Sequence, residues 1–444
     1  MAANPAARGT IYWICVQALF NAAFANAVRV GAAGAIKTAL LDPMDAQHSG
    51  EMIGAVLGSS FLGFAISLLV ISPLLDRLGA RRVLLFATAC FLAGPILVLM
   101  SAHAGSSVYF LLNVAMVIWG CGWGATEASI NPVTASLFPD DKTGRLNSLH
   151  AWWPMGIVMG GLLAIVTLQQ AGMDWRWLVA IPLLPGVILA ALLLRQPFPV
   201  IASVGQGTGF ADMMAEPFRR PGFWIFFGIM ILTASAELAP AAWVDVALTQ
   251  TVGMPGIVVL VYVAAVMFVM RHFAGSLAHR LSDIGLLLIC TLPACAGLYL
   301  LAHANSPATA LIAATLWAIG VCFMWPTMLA AVARRYPQSG SWGIGLIGFA
   351  GALAIYFVLP QLGRVYDEAK IASAGGGEAF AALVPGSPRM QAVLADAAQV
   401  SFETIALIPA LLFGLFGLLW IWERRSRVAP AQERESGDAF THRD

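Results

Sequence analysis

Long apolar runs separated by short charged or glycine-rich stretches dominate the chain. Twelve of these runs are close in length to the stretch of about 20 residues that a helix needs to cross a bilayer. Their approximate limits are 11–34, 52–75, 83–101, 107–137, 147–169, 177–195, 222–246, 256–275, 284–303, 307–333, 341–363 and 402–422. Lipid offers backbone groups no hydrogen-bond partners, and no run alternates as a barrel strand does, so all twelve are predicted to be helices.

The composition agrees with this pattern. Hydrophobic residues make up 59% of the chain, charged residues 11%, and the mean hydropathy is +0.81. An ordinary soluble domain has about 25% charged residues, so we expect a multi-pass protein of the cell (inner) membrane, surrounded by the lipid bilayer. The net charge of +1 gives no sign of a nucleic-acid partner. The six cysteines lie inside predicted spans without a Cys-x-x-Cys pair, so neither a disulfide framework nor a metal site is expected.

The distribution of positive charge predicts the orientation. Two of the 24 Lys and Arg residues lie inside predicted spans. With a cytoplasmic N-terminus, the cytoplasmic segments carry seventeen of the others, and the outer loops carry only Lys37, Arg176, Arg364, Lys370 and Arg389. Cytoplasmic loops are enriched in Lys and Arg, so both termini are predicted to be cytoplasmic.

The spans fall into two groups of six. Residues 196–221 form the longest predicted cytoplasmic stretch between spans and separate an N-terminal half, 1–195, from a C-terminal half, 222–423. A cytoplasmic tail, 424–444, follows. The halves echo each other, because "LLDRLGARRVLL" after span 2 and "LAHRLSDIGLLL" after span 8 occupy matching places. Two such halves around a midplane site are a transporter architecture, and a chain that contains both is expected to act as a monomer.

An unusually long outer segment, 364–400, joins spans 11 and 12. Met390, Val393, Leu394 and Ala397 recur in it at helical spacing, which predicts a short amphipathic helix on the outer surface. Both a surface cap and a gate are compatible with this pattern.

Four charged residues lie four or more residues from either limit of a predicted span, at depths where a charge costs roughly 2.5–3.5 kcal/mol on insertion scales. Glu127 shares one face of span 4 with Asn131. Arg29, Glu237 and Arg271 lie in spans 1, 7 and 8. Ion pairs of Glu127 with Arg29 and of Glu237 with Arg271 would offset the cost. Such pairs are either structural supports or parts of a functional site.

Charged residues inside membrane spans favour the second interpretation, a functional site. A carboxylate shielded from water can bind and release a proton near neutral pH, so Glu127 and Glu237 are candidate proton-coupling residues. The candidate substrate-binding residues are Asn21, Asn26, Arg29, Glu127, Asn131, Trp153, Glu237 and Arg271. His150 fits a proton relay and equally well a hydrogen-bonded structural histidine.

The loop after span 2, "SPLLDRLGARR", resembles the Gly-x-x-x-Asp-Arg-x-Gly-Arg-Arg signature of the major facilitator superfamily. The matching positions are Asp76, Arg77, Gly79 and Arg81, whereas Ser72 and Ala80 replace a glycine and an arginine. The resemblance implies an all-α membrane fold of twelve transmembrane helices in two pseudo-symmetric halves. It also implies that this loop latches the halves on the cytoplasmic side.

A narrower resemblance is to the fucose–proton symporter branch. It rests on Glu127, Asn131, Pro132, Pro139, Arg145-Leu146-Asn147 and Gly156 in spans 4 and 5, and on Arg271 and Arg280 in span 8 and its loop. The resemblance implies that Glu127 belongs to the substrate and proton site. The branch carries an aspartate in span 1, and Arg29 stands at about that depth here.

The leading hypothesis is a secondary active transporter for a small polar solute, a sugar or sugar derivative, with proton symport. The alternatives are uptake of an organic anion such as a sugar acid, with Arg29 and Arg271 meeting its carboxylate, a drug exporter, and a sensor that binds without transporting. The chain shows no metal-ligand pair at helical spacing, no Gly-x-Ser-x-Gly elbow and no phosphate loop. Neither an enzyme nor a cofactor is therefore expected.

Overall fold

The structure, a computed structural model, describes residues 5–138, 148–196, 198, 209–248, 252–271 and 281–440. Every regular element in this part of the chain is helical. Eleven of the described helices are long and apolar enough to cross a membrane, and Gly256–Arg271 is a shorter apolar helix. Together they correspond to the twelve predicted runs, which confirms the all-helical, multi-span fold class.

The first six spans follow one another with short connections. Span 1 is Pro5–Ile36, continued by a π-helical turn, Lys37–Leu41, and a short helix, Asp42–Asp45. Spans 2, 3 and 4 are Ser49–Leu78, Ala80–Ser101 and Val108–Leu137. Span 5 is Trp152–Ala164 with a π-helical extension, Ile165–Gln170, and span 6 consists of Trp175–Ala180 and Leu183–Arg195.

A short helix, Phe210–Arg219, lies in the predicted linker, and the second six spans follow it. Spans 7, 8 and 9 are Pro221–Leu248, Gly256–Arg271 and Asp283–Ala302. Span 10 is broken into Pro307–Val321 and Met324–Arg335, and span 11 is Gly340–Ala374. The short helix Gly377–Ala381 precedes span 12, which is Pro388–Phe440.

The outer segment 364–400 differs from the prediction of a separate surface helix. Span 11 continues without a break to Ala374, and span 12 already begins at Pro388. Of the four apolar residues that predicted the amphipathic helix, Val393 and Ala397 are fully buried on the inward face of span 12, and Met390 and Leu394 are partly buried. The apolar content of a sequence ends at the membrane surface, whereas helical hydrogen bonding continues beyond it, so hydropathy alone underestimated both helices.

Spans 2 and 4 pack backbone against backbone, which glycine makes possible. A Cβ atom at Gly120 would lie 1.7 Å from the carbonyl oxygen of Ser60, and one at Gly63 would lie 1.9 Å from that of Val117. Membrane helices associate through such small-residue surfaces. The contact fixes the rotation of span 4 and so decides which of its faces turns away from span 2.

The first and second groups of spans contact each other at several places, among them Ser72 of span 2 against Gly345 of span 11 near the ends that are predicted to be cytoplasmic. A Cβ at Gly363 of span 11 would lie 2.3 Å from the carbonyl oxygen of Gly50 in span 2. A Cβ at Gly161 of span 5 would lie 2.2 Å from the side chain of Val261 in span 8. The Gly363 and Gly161 contacts lie towards the ends that are predicted to face outward, so the two groups of spans close against each other there.

Span 7 is tied to span 10 through a proline. Pro240 has no N–H, so the carbonyl of Ala236, one turn earlier, loses its helical donor. The indole N–H of Trp317 donates to that carbonyl at 3.2 Å. A backbone group freed at membrane depth is thus satisfied by a neighbouring span, as lipid requires.

Candidate functional site

Span 4 presents Glu127 and Asn131 to the start of span 5. Asn131 donates from Nδ2 to the backbone carbonyl of Glu127 at 3.2 Å and to its Oε2 at 3.3 Å. Oδ1 of Asn131 lies 2.8 Å from Nε2 of His150. All three side chains are partly exposed. A carboxylate, an amide and an imidazole therefore form one hydrogen-bonded chain between the two spans.

Glu237 of span 7 lies beside Arg271 of span 8. Nη2 of Arg271 is 3.7 Å from Oε1 of Glu237, so the pair expected from the sequence is present. Glu237 is only 6% exposed. Its second oxygen, Oε2, has no hydrogen-bond partner among the described residues and remains open to a further donor.

The break in span 10 supplies Arg271 with a second partner. Pro326 has no N–H to donate to the carbonyl of Cys322, one turn earlier, and the helix is interrupted at that point. Nε of Arg271 donates to this carbonyl at 3.3 Å. The guanidinium therefore joins spans 7, 8 and 10 around the Glu237 carboxylate.

Arg29 of span 1 has partners other than the expected one. It is 3% exposed, its Nη2 donates to Oδ1 of Asn26 at 2.9 Å, and its Cζ lies 5.4 Å from the ring centre of Trp119. The structure gives Arg29 no carboxylate among the described residues, so the expected pair with Glu127 is absent. Arg29 meets span 4 at Trp119, and eight helical residues, about 12 Å, separate Trp119 from Glu127. Nη1 of Arg29 has no hydrogen-bond partner in the described chain.

The two asparagines of span 1 have different surroundings. Asn21 is 0% exposed, and neither of its side-chain atoms has a described partner. Gln17, one turn earlier on the same face, donates from Nε2 to the carbonyl of Pro185 in span 6 at 3.1 Å. Asn26 is partly exposed. Of the two asparagines, Asn26 is therefore the one that a solute can reach without movement of span 1.

Four aromatic rings from four spans form a row. Trp153 of span 5 stacks on Trp123 of span 4 at 4.8 Å, and Trp123 stacks on Phe64 of span 2 at 4.1 Å. Phe64 faces Trp325 of span 10 at 6.4 Å. The row crosses from the first group of spans to the second. Because Trp123 covers one face of Trp153, at most one face of that ring is left for a solute.

The signature loop after span 2 holds helix ends together. Gly79 has a φ of +77°, which lets the chain turn sharply between spans 2 and 3. Arg81 donates from Nε and Nη2 to the carbonyls of Leu193 and Leu194 at the end of span 6, both at 2.9 Å. These carbonyls have no helical donor of their own, so Arg81 closes the end of span 6.

Among the other motif positions, Arg77 contacts an aromatic ring, and several residues lie outside the described chain. Arg77 places its Cζ 5.5 Å from the ring centre of Phe210, in the helix before span 7. Asp76 belongs to the helix of span 2, and its side chain lies outside the described part. The remaining motif residues outside the described chain are Pro139, Arg145, Leu146, Asn147 and Arg280.

The charges of Glu127 in span 4 and of Arg271 in span 8 both act on His150. The span 4 chain and the span 7–8 pair therefore lie within electrostatic reach of the same imidazole. Trp119 and Phe64 complete the surroundings. Neither is among the substrate-binding candidates chosen from the sequence, because an aromatic residue in an apolar span resembles core packing. No group of His, Cys, Asp or Glu among the described residues is arranged to hold a metal ion.

Comparison with known sequences identifies relatives. A sequence model of the Major Facilitator Superfamily matches residues 19–359. The D-xylose transporter of Levilactobacillus brevis is 32% identical over 145 residues, which are 32% of this chain and 29% of that protein. The match thus spans less than a third of that relative. The gentisate transporter of Corynebacterium glutamicum is 24% identical over 351 residues, which are 71% of this chain and 72% of that protein.

Solved structures share the fold. The crystal structure of a D-xylose–proton symporter superposes with a TM-score of 0.72 at 14% identity, over 90% of this chain and 96% of that one. The E. coli fucose:proton symporter superposes with a TM-score of 0.60 at 17% identity, over 92% and 98% of the two chains. At these identities the likeness concerns the fold.

Proposed function

Because this chain belongs to the Major Facilitator Superfamily, we propose that it is a secondary active transporter for a small polar solute, a sugar or sugar derivative. The family is one of transporters rather than enzymes, and the chain is a multi-pass membrane protein. The proposed mechanism is alternating access with proton symport. Sugar as the solute is supported by the matched stretch of a D-xylose transporter, and proton symport by two sugar–proton symporters of the same fold.

The observation that carries the proposal is the environment of Glu127. It lies within span 4 and is partly exposed, and among the described residues its carboxylate accepts a hydrogen bond from Asn131 and is held by no cation. A carboxylate that no cation fixes in its ionised form gains and loses a proton without breaking an ion pair. Glu127 is therefore the proposed carrier of the coupled proton.

The Glu237–Arg271 pair has a different proposed role. At rest each group balances the other at 3.7 Å. A solute oxygen that bound Arg271 would weaken this pairing and make Glu237 the second proton-coupling group. Binding would thus be linked to protonation in the second group of spans.

The remaining candidate residues surround these charges. Asn26 and Asn131 are proposed to hydrogen-bond solute hydroxyls, and Trp153 to offer its free ring face. Arg29 is proposed to bind a solute oxygen through its unpartnered Nη1. Asn21 is fully buried and would contact a solute only after a movement of span 1.

Alternating access also assigns roles to the ends of the spans. We propose that the halves 1–195 and 222–423 rock about the site, that both termini are cytoplasmic, and that the protein acts as a monomer. The signature loop, with Arg77 and Arg81, is then the cytoplasmic gate. The close approach of Gly50 and Gly363 is the closed outer gate.

Replacing Glu127 by Gln tests the coupling. Uptake of labelled D-xylose into proteoliposomes under an imposed proton gradient should fall to the level seen without a gradient. Exchange of the sugar across the membrane should persist, because it needs no net proton movement. Glu403→Gln is the matched control, since Glu403 lies in span 12 beside His303, and it should leave both activities unchanged. Driven uptake that survives Glu127→Gln would place the proton elsewhere, and absence of any flux in the wild type would favour the sensor.

Uptake of an organic anion is the second candidate, and Arg29 favours it. Its guanidinium is buried, has no described carboxylate partner and keeps Nη1 open, which suits a bidentate carboxylate. The gentisate transporter, matched over 71% of this chain, supports the same class of solute. Thermal shifts of wild type and Arg29→Gln with D-xylose, D-gluconate and gentisate separate the two. Stabilisation by the acids alone, lost in the variant, would select the anion, whereas stabilisation by D-xylose in both proteins would select the sugar.

A further inference from the structure

We propose that His150 reports the protonation of Glu127, because the amide of Asn131 between them couples the imidazole tautomer to the carboxyl group. The inference rests on the proposed proton-carrying role of Glu127 and adds a residue that acts through it. His150 is thus a positioning residue for the coupling step and does not contact the solute.

The inference depends on which end of the Asn131 amide donates a hydrogen bond and which end accepts one. An ionised carboxylate only accepts hydrogen bonds, so the Nδ2 end of Asn131 must face Glu127, as it does at 3.3 Å. The Oδ1 end then faces His150 and only accepts. Nε2 of His150, 2.8 Å away, must therefore carry a hydrogen. With Glu127 ionised, the neutral ring is held as the Nε2–H tautomer.

Protonation of Glu127 gives its carboxyl group one O–H donor beside the remaining acceptor oxygen. A carboxyl O–H directed at the chain is a donor and would oppose the donating Nδ2 end of Asn131. Turning the amide over gives up the bond from Nδ2 to the backbone carbonyl of Glu127, lets Oδ1 accept from the carboxyl O–H and directs Nδ2 at His150. Nε2 must then accept, so its hydrogen leaves to water and Nδ1 takes one from water. The ring exchanges one hydrogen for another, and the net uptake is the single proton on Glu127.

The position of His150 allows this exchange and gives it a consequence. His150 is a partly exposed residue, as exchange of its ring hydrogens with water requires. Span 5 is fixed at its start by a hydrogen bond from the Tyr12 hydroxyl of span 1 to Ser148, 3.0 Å long. The charges that act on the ring are Glu127 of span 4 and Arg271 of span 8. A change of tautomer therefore changes the ring dipole in the field of a cation of the second group of spans, which links the proton on Glu127 to the contact between the two groups.

Ring ¹⁵N shifts of ¹⁵N-histidine-labelled protein in nanodiscs test the inference directly. The chain has seven histidines, and His150→Gln assigns the signal of His150 by its loss. We expect the Nε2–H tautomer while Glu127 is ionised and the Nδ1–H tautomer once Glu127 is protonated. Glu127→Gln should abolish the change. A wild-type ring that keeps one tautomer until it protonates would overturn the proposal, and so would a change that persists in Glu127→Gln.

Transport of the variants supplies a second readout. His150→Gln keeps a group that both donates and accepts, so driven uptake of D-xylose should stay close to wild type. His150→Phe leaves Asn131 Oδ1 without a partner and should lower driven uptake about tenfold, the value of one hydrogen bond, while exchange stays unchanged. Equal losses in both variants would refute the positioning role. A tautomer change that follows Glu127 in a protein without proton-driven uptake would refute the proposed function and leave this inference standing.

Discussion

Asp367 holds the outer end of span 11 against the start of span 2. Its Oδ1 accepts from the backbone N–H of Gly50 at 3.2 Å, and its Oδ2 accepts from that of Glu51 at 2.7 Å. Nζ of Lys370 lies 2.5 Å from Oδ1 of Asp367. The two residues are 3% and 1% exposed. One carboxylate therefore caps a helix of the first group of spans and balances a buried cation of the second.

The destabilisation expected of Asp367→Asn depends on which partners Lys370 would keep. The ammonium group of Lys370 would still donate to the carbonyl of Ala46 at 3.1 Å. Asp42, the other anion that acts on it, is already paired with Lys37 at 2.8 Å. Removing one partner of a buried ion pair costs about 3–5 kcal/mol. Lys370→Met leaves Asp367 with two backbone donors at the positive end of a helix, so its cost should be about 1 kcal/mol.

Unfolding by SDS in mixed micelles, followed by the fluorescence of the fourteen tryptophans, measures these effects. Asp367→Asn should unfold at the lowest SDS fraction, Lys370→Met should remain close to wild type, and the double variant should recover most of the loss. If Lys370→Met destabilised the protein as much as Asp367→Asn, the charge argument would be refuted. Absence of recovery in the double variant would assign the loss to packing at this helix end.

Two further pairs of substitutions test the contacts between the spans. Gly120→Ala should destabilise the protein by about 1–3 kcal/mol, because its methyl group would meet the carbonyl oxygen of Ser60. Gly228→Ala, with open space around it, should cause no loss in the same SDS titration, and equal losses would contradict the contact argument. Arg335→Gln should lower the melting temperature in detergent more than Arg176→Gln, because Arg335 meets carboxylates at the ends of spans 9 and 12. A larger effect at Arg176, whose partner lies two residues away on the surface, would reverse this ranking of the two ion pairs.

The twelve spans and the polar face of span 4 could be predicted from the sequence because both are local properties. A run of apolar residues must be a helix in lipid whatever surrounds it, and residues four apart share a face of any helix. Glu127 and Asn131 are therefore neighbours by chain geometry alone, as their hydrogen bond shows. The signature loop carries its own turn in Gly79, and so the family was recognisable before any contact was known.

Partners across different spans depend on the rotation and depth of each helix, which only the packed structure decides. Arg29 was expected beside Glu127, but it lies beside Trp119, which precedes Glu127 by about 12 Å along span 4. Arg271 does pair with Glu237, yet its second partner is a carbonyl freed by a proline in span 10, which no pattern in span 8 indicates. Close glycine contacts set these rotations. The sequence therefore determined which polar residues the spans contain. How closely the helices approach one another determined which of these residues are in contact.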